Sequence, residues 1–404
     1  MNVIFYALVL IAFVGAAFTG SAEATGKAAL DSAKTAAELA IGLVGYVSLF
    51  LGLMKVVEEA GGLRFMARLI EPLLTRLFPD VPRDHPAMGA MVMNLAANAL
   101  GLGNAATPFG LKAMKELETL NRRPGVATDA MALFLAINTS GVALLPTGMI
   151  GLRAKLGSVD PAAIFPTTLF ATTCSTSVAI LAALLLRRLP AFRLDGPPPP
   201  PAPPRPLTEL LPPLAFGAAL IGLVTAVYLG GPAVSAWILP VLIVGMLTVG
   251  VVRKVKVYEV FVAGAREGFQ MSIGIIPYLV AILVAVGMLR ASGALDAFVS
   301  LVGPLSAAVG VPAEVIPLGL LRPLSGSGAM GLTTELMETH GPDSPIGTLA
   351  ATINGSTETT FYVLAVYFGS IGITRSRHAV PAGLAADIAG FIGAIVACRL
   401  LLGP

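Results

Sequence analysis

The sequence predicts an all-α, polytopic membrane protein that contains the same helical module twice. Three observations support this fold class. The 404-residue chain is 56% hydrophobic and only 12% charged, whereas about a quarter of the residues in soluble domains are charged. Apolar runs long enough to span a bilayer recur along it. The second half of the chain also repeats the order of unusual residues in the first half.

The apolar runs predict a multi-pass protein of the cell inner (plasma) membrane, with the lipid bilayer as its surroundings. The mean hydropathy is +0.85. The run at 3–19 lacks the basic segment that opens a secretory signal, so we assign it to the fold. The predicted spans lie near 3–19, 41–57, 128–150, 163–186, 211–230, 233–252, 271–289, 347–370 and 383–402.

An internal repeat becomes visible when the sequence is shifted by 232 residues. FLGLMKVVEEAGGLRFMARLIEPLL at 50–74 then meets ILVAVGMLRASGALDAFVSLVGPLS at 282–306. After small length changes, AINTSG at 136–141 meets TINGST at 352–357. Chance similarity of apolar sequence explains scattered Leu and Ala matches, but not Gly, Pro, Tyr and Asn recurring in order. The fold is therefore predicted to be duplicated.

The repeat divides the chain into four segments. A proline-rich stretch, DGPPPPPAPPRP, cannot continue a helix and separates the copies. We assign 1–190 to the first repeat, 191–210 to the linker, 211–232 to an extra transmembrane helix and 233–404 to the second repeat.

The distribution of charge predicts that the two copies are inverted in the membrane. Residues 55–123 carry nine basic and seven acidic side chains, whereas the corresponding region 290–345 carries two and five. Cytoplasmic segments are enriched in Lys and Arg, and one added crossing can reverse the second copy. Arg153 and Lys155 do not follow this charge rule, since the inverted arrangement places them outside. We predict two tandem repeats in inverted topology.

Each copy has a glycine-rich break inside an apolar stretch, at 93–110 and at 322–335. Such density of Gly and Pro predicts broken helices or re-entrant hairpins, whose free backbone must be covered by protein or water. Close helix packing through small residues is the alternative for the glycines alone. The polar side chains there are candidate solute ligands: Asn94, Asn98, Asn104 and Thr107 in the first copy, Ser325 and Ser327 in the second, with Arg322 as a candidate charge.

A second polar run lies in each copy, INTS at 137–140 and INGSTETT at 353–360. Ser and Thr can bond back to the preceding turn without any function. An unpaired amide in hydrocarbon costs several kcal/mol, so Asn must face a partner or a wet cavity. We predict that these runs line a midplane solute site built from Asn138, Thr139, Ser140, Asn354, Ser356, Thr357 and Thr360.

Charged side chains inside these apolar segments are functional candidates. Glu358 is predicted to carry a proton or cation, or to accept a hydrogen bond from the solute. Asp387, in GLAADIAGF, is a second candidate for coupling, or else a structural partner of Arg322.

Several function classes find little support. The net charge of +3 does not indicate nucleic-acid binding, and the two cysteines and three histidines form no metal-ligand spacing. No hydrolase or zinc-protease motif is present, so we expect neither an enzyme nor a cofactor.

The arrangement NALGLGNAATPFGLKAM with INTS, followed by RPLSGSGAMG with INGSTETTFYVLAVYFG, resembles spore maturation proteins A and B, members of the nucleoside-recognition or gate family. Residues 1–190 resemble the A protein and about 207–404 the B protein, as if the two were fused. The resemblance implies a transport-like membrane module, linked in spore formers to dehydration of the spore core. The gate of the related ferrous iron permease uses a cysteine, which the gate-like stretches here lack.

Two functions follow as hypotheses. One is a transporter that binds a small polar solute and couples its movement to protons or a cation. The resemblance implies a nucleoside-like solute. The other is a scaffold or regulator of envelope or spore maturation that moves nothing. A dry centre with every polar group paired would favour the scaffold. A homo-oligomer is compatible with either.

Overall fold

The structure, a computed structural model, describes residues 2–100, 103–141, 144–193, 209, 211–219, 222, 225, 237–308 and 310–402. About 80% of the protein is helical. Within the described ranges the β structure is limited to one isolated bridge between Val126 and Arg375. The all-α prediction is confirmed. The linker prediction falls largely on residues outside the described ranges, as does half of the extra helix at 211–232, of which 211–219, 222 and 225 are helical.

The helices of the two copies follow in the same order. The first copy contains α1 Asn2–Thr19, α2 Ala22–Glu59, α3 Gly62–Leu77, α4 Pro86–Ala99, α5 Gly103–Thr119, α6 Asp129–Thr139, α7 Thr147–Lys155 and α8 Ile164–Leu186. The second contains α9 Ile238–Val252, α10 Val257–Ala291, α11 Ala294–Ala308, α12 Ile316–Leu321, α13 Gly326–His340, α14 Pro345–Ser356, α15 Thr360–Gly369 and α16 Ala379–Leu402. Short 3₁₀ turns at Pro161–Ala163 and Ala313–Val315 precede α8 and α12.

Among the described residues, three helices are long and apolar enough to cross a membrane: Ala22–Glu59, Pro161–Leu186 and Ala379–Leu401. A bent pair, Leu279–Ala291 with Ala294–Leu301, adds a fourth if it counts as one span. The predicted runs 128–150 and 347–370 are each two shorter helices, because polar residues and Gly or Pro interrupt them. The multi-pass arrangement stays a prediction.

Equivalent helices of the two copies pack against each other. A Cβ added to Gly264 of α10 would lie 2.5 Å from the carbonyl oxygen of Leu51, and one on Gly268 would lie 2.7 Å from Cα of Ser48. Residue numbers increase along α10 in the direction in which they decrease along α2, so this pair is antiparallel. The missing side chains let the two backbones approach closely.

Helices α8 and α16 pack in the same antiparallel way. Ser175 donates a hydrogen bond to the carbonyl of Ala386 at 2.9 Å. A Cβ on Gly390 would lie 3.3 Å from Cβ of Ser175, and one on Gly393 would lie 3.2 Å from Cα of Ala171. Antiparallel contact between equivalent helices is what a two-fold axis across the bundle produces. It agrees with inverted repeats, whose orientation in the bilayer stays a prediction.

Two buried arginines join the copies reciprocally. Arg153, at the end of α7, donates to the carbonyl of Pro342 and pairs with Asp343 at 2.8 Å. Arg377, before α16, donates to the carbonyl of Ala127 at 2.9 Å and pairs with Asp129 at 2.7 Å. Each copy thereby holds the loop that begins the other copy's polar helix, α14 or α6. We call these contacts the arginine clamps.

His378 stands beside one clamp, just outside the last candidate span, and is fully buried. Burial lowers the pKa of His378 to about 4, helped by Arg377 and Arg187 and opposed by Asp129. The unfolded chain takes up this proton near pH 6.5, which the folded protein resists, so stability is lost as the pH falls below about 6.5.

We expect His378 to lower the free energy of unfolding by about 2 kcal/mol at pH 5 relative to pH 7. The check is thermal melting in detergent from pH 7.5 to 4.5, with His378→Gln compared with the wild type. The variant should lose part of the acid-side slope. Parallel curves for the two proteins would contradict the prediction.

Candidate functional site

Helix α6 ends at Thr139, among buried residues, because of the residues that follow it. Gly141 adopts φ +87°, a left-handed conformation that ends helices and favours glycine. The hydroxyls of Thr139 and Ser140 donate back to the carbonyls of Ala136 and Ile137. These bonds satisfy the last turn of the helix from within.

The second break, between α14 and α15, is made of extended backbone. Thr357 has φ −135° and ψ 167°, and helix α15 begins again at Thr360. The peptide N–H groups that lack an intrahelical partner at this break donate to carbonyls of other segments. The N–H of Glu358 donates to the carbonyl of Thr139 at 3.0 Å, and the N–H of Phe361 donates to the carbonyl of Pro323 at 3.0 Å.

The two breaks touch each other. A Cβ on Gly141 would lie 2.8 Å from the carbonyl oxygen of Ser356 and 2.9 Å from Cα of Thr357. Both polar runs that the sequence singles out therefore meet backbone to backbone. We call this place, formed by residues 140–141 and 357–359, the crossing. That the polar runs form a solute site stays a prediction.

A cluster of amides lies on the first-copy side. Asn98 donates to Oδ1 of Asn138 at 2.9 Å. Asn94 donates to the carbonyl of Ala106 at 2.8 Å and to the hydroxyl of Tyr367 at 3.1 Å, and this hydroxyl lies 3.4 Å from Asn138 Oδ1. The broken hairpin α4–α5, helix α6 and helix α15 thus share one polar network.

The charged group lies on the second-copy side. Arg322 is 6% exposed and donates to Oγ1 of Thr359 at 2.9 Å and to the carbonyl of Thr357. Its Nη2 is 3.8 Å from Oε2 of Glu358, whose side chain is 56% exposed. The guanidinium therefore donates hydrogen bonds to the unwound segment, whereas its contact with the Glu358 carboxylate is a longer ion pair.

Asp387 does not form the ion pair with Arg322 that the sequence allows as an alternative. In the described structure Thr360 donates to its Oδ2 at 2.7 Å, and the ion pair of Arg322 is with Glu358. A Cβ on Gly383, one turn earlier in α16, would lie 2.9 Å from Thr360 Cγ2. Asp387 therefore fixes the first turn of α15.

The remaining predicted residues divide into local and distant groups. Asn354 is buried but donates to Thr333 on α13 at 2.9 Å, apart from the amide cluster. Ser356 bonds back to Ile353, and Ser325 caps α13 at the N–H of Gly328. Ser327 lies 3.5 Å from Ser325, and Thr107 is half-buried in α5. The side chain of Asn104 lies outside the described residues.

Sequence analysis missed three contributors to the site. Tyr367 joins the amide cluster, Thr359 holds Arg322, and Thr176 shares a 2.9 Å hydrogen bond with Ser140. Tyr367 had a signal, since it is a hydroxyl-bearing residue within an apolar helix. Thr359 lies inside the INGSTETT run, whereas Thr176 had no signal.

Three buried polar atoms around the crossing have no hydrogen-bond partner among the described residues: Asn94 Oδ1, Arg322 Nε and Asp387 Oδ1. Buried polar atoms are normally paired, and each exception needs an explanation such as a bound water, an ion or a functional role. The centre is thus not a fully paired one.

Two equivalent halves whose broken helices meet define a duplicated helical membrane module. The chain belongs to the family described as "Gate: Nucleoside recognition", whose model matches residues 40–187 and 272–374.

Two relatives from Bacillus subtilis (strain 168) match about half of the chain each. Spore maturation protein B is 48% identical over 169 residues, 42% of this chain and 95% of the relative. Spore maturation protein A is 40% identical over 181 residues, 45% of this chain and 92% of the relative. This coverage is consistent with a fusion of the two. No solved structure matches the chain.

Proposed function

We propose that the protein binds a small polar solute at the crossing and moves it across the membrane. The observation that carries this proposal is the set of unpartnered buried atoms at Asn94, Arg322 and Asp387. A solute in contact with them would supply the missing hydrogen bonds, since a buried polar group without a partner is costly.

The family description "Nucleoside recognition" supports a nucleoside-like solute. The amide groups of Asn94, Asn98 and Asn138 suit a molecule with several donors and acceptors, since each amide offers both.

Glu358 is the proposed coupling group. Its carboxylate is exposed and is 3.8 Å from Arg322, so it can exchange a proton or cation without breaking a buried pair. Its backbone N–H is bonded to the carbonyl of Thr139, which leaves the side chain free to exchange. Coupling would therefore act through the side chain alone.

Glu358→Gln is expected to lower pH-driven uptake of radiolabelled uridine into proteoliposomes at least tenfold, because the amide cannot carry a proton. The matched control is Glu23→Gln, which removes an exposed carboxylate at the start of α2. Equal uptake and equal pH dependence for Glu358→Gln and the wild type would remove Glu358 from coupling.

A second function, a membrane scaffold or regulator of envelope or spore maturation, is favoured by the amide cluster, whose members bond to one another. The relatives' names fit this role as well. Uptake measurements separate the two, since a scaffold gives no solute movement with any variant.

A further inference from the structure

Arg322 is a buried arginine beside the break between α14 and α15 of a duplicated fold. The corresponding position of the first copy is Ala97, by the alignment of GSGAMG with GLGNAA. An arginine side chain removed from water needs compensation by charge or by several hydrogen bonds. Its function is therefore specific to the second copy, and packing of the repeat does not require it.

The compensation that Arg322 finds is incomplete. Neutral oxygens of Thr357 and Thr359 accept from its Nη atoms, and Nε has no partner among the described residues. The carboxylate of Glu358 lies at 3.8 Å, beyond hydrogen-bond distance. A guanidinium offers five N–H donors, so capacity for a second acceptor remains.

The guanidinium also stands over the beginning of α13. A Cβ on Gly326, the first residue of that helix, would lie 3.7 Å from Nη1 of Arg322 and 2.7 Å from Oγ1 of Thr359. Glycine leaves this approach open. Helix α13 has 15 residues, and its N-terminus adds a positive partial charge to the same spot.

We propose that the solute bound at the crossing carries an anionic group, a carboxylate or a phosphate, which Arg322 and the N-terminus of α13 bind in place of Glu358. This inference rests on the proposed function for the location of the solute. It adds the chemical class, because Nε of Arg322 has no acceptor among the described residues and Glu358 stays at 3.8 Å, so a bound anion would supply charged hydrogen bonds that neither Glu358 nor a neutral solute supplies.

In this scheme Glu358 is a built-in competitor. The Glu358 carboxylate lies near Arg322 while the site is empty. When the anion binds Arg322, the Glu358 side chain turns away from the guanidinium. Removal of the Glu358 charge should therefore strengthen anion binding, whereas a residue that only contacts solute would weaken it. This opposite sign is a readout that a merely structural role would not produce.

The test is binding to purified full-length protein by calorimetry, with two matched pairs of probes: uridine 5′-monophosphate against uridine, and succinate against succinamide. We expect the anionic member of at least one pair to bind about 10- to 100-fold more tightly, as for hydrogen bonds to charged groups. The pair that shows the preference identifies phosphate or carboxylate.

Three variants complete the experiment. Glu358→Gln should tighten binding of the preferred anion at least threefold, Arg322→Gln should abolish the preference, and exposed Arg64→Gln should change neither. Glu358 is largely exposed, so its variant stays informative if Arg322→Gln does not fold. Equal affinity within both pairs, no binding of either anion, or no tightening in Glu358→Gln overturns the inference.

The outcome separates this inference from the proposed function. Uptake of uridine with no preference for its monophosphate would retain a polar-solute transporter and reject the anionic class. Tight anion binding without uptake of any probe would retain the anion site and reject transport.

Discussion

Gly141→Ala is expected to lower the free energy of unfolding by about 2 to 6 kcal/mol. The left-handed φ of +87° costs an L-residue about 1 to 3 kcal/mol. The new methyl would also meet the backbone of the second break at 2.8 Å, and overpacking costs about 1 to 3 kcal/mol more.

The measurement is thermal melting of detergent-purified protein, with Gly148→Ala as the matched control. A Cβ on Gly148, within helix α7, meets nothing within 4 Å. Alanine is the better helix former, so this control should be neutral or slightly stabilising. If both variants melt like the wild type, the two breaks do not touch.

Arg153→Met is expected to lower the free energy of unfolding by about 2 to 4 kcal/mol. The guanidinium is 2% exposed and donates to the carbonyls of Asp160, Pro161 and Pro342. Removing it takes this donor from those carbonyls and leaves Asp343 with only the neutral donors Ser158 and the N–H of Val159, which costs more than the pair itself contributes.

The control for this clamp is Arg68→Met on the exposed face of α3, which should change melting little. Asp343→Asn should cost less than Arg153→Met, because its side chain is 40% exposed. An Arg153→Met protein as stable as Arg68→Met would mean that the clamp contributes nothing to joining the copies.

The reciprocal clamps bear on how the module could move. Each clamp ties one copy's arginine to the loop before the other copy's broken helix, at Ala127 or Pro342. A motion that separates the two halves at one end must open one clamp. The crossing lies between these two ties, so both ends of the bundle are coupled to it through α6 and α14.

Much of the site was predictable because duplication and polarity are visible in one dimension. Repetition of AINTSG and TINGST predicted two equivalent polar runs, and in the structure each run lies beside a helix break. The hydrophobic surroundings of Asn138 predicted its burial, which is observed at 3% exposure. The roles of these residues in solute binding stay predictions.

Other features depended on the third dimension. Sequence analysis grouped Asn354 with Asn138 by repeat position, yet Asn354 bonds to Thr333 instead. Glu358 was predicted within a polar wall, whereas its side chain is largely exposed beside Arg322. Equivalent positions in a repeat share backbone geometry, but their neighbours come from different helices.

The sequence by itself determined a helical, duplicated membrane protein with two polar interruptions, since hydropathy, helix breakers and repeats are properties of residue order. Only the tertiary structure decided that the interruptions touch, that one arginine holds the second of them, and which buried atoms remain unpaired. Those facts depend on close approach of segments more than 200 residues apart, such as Gly141 and Thr357, and packing sets such distances while local pattern does not.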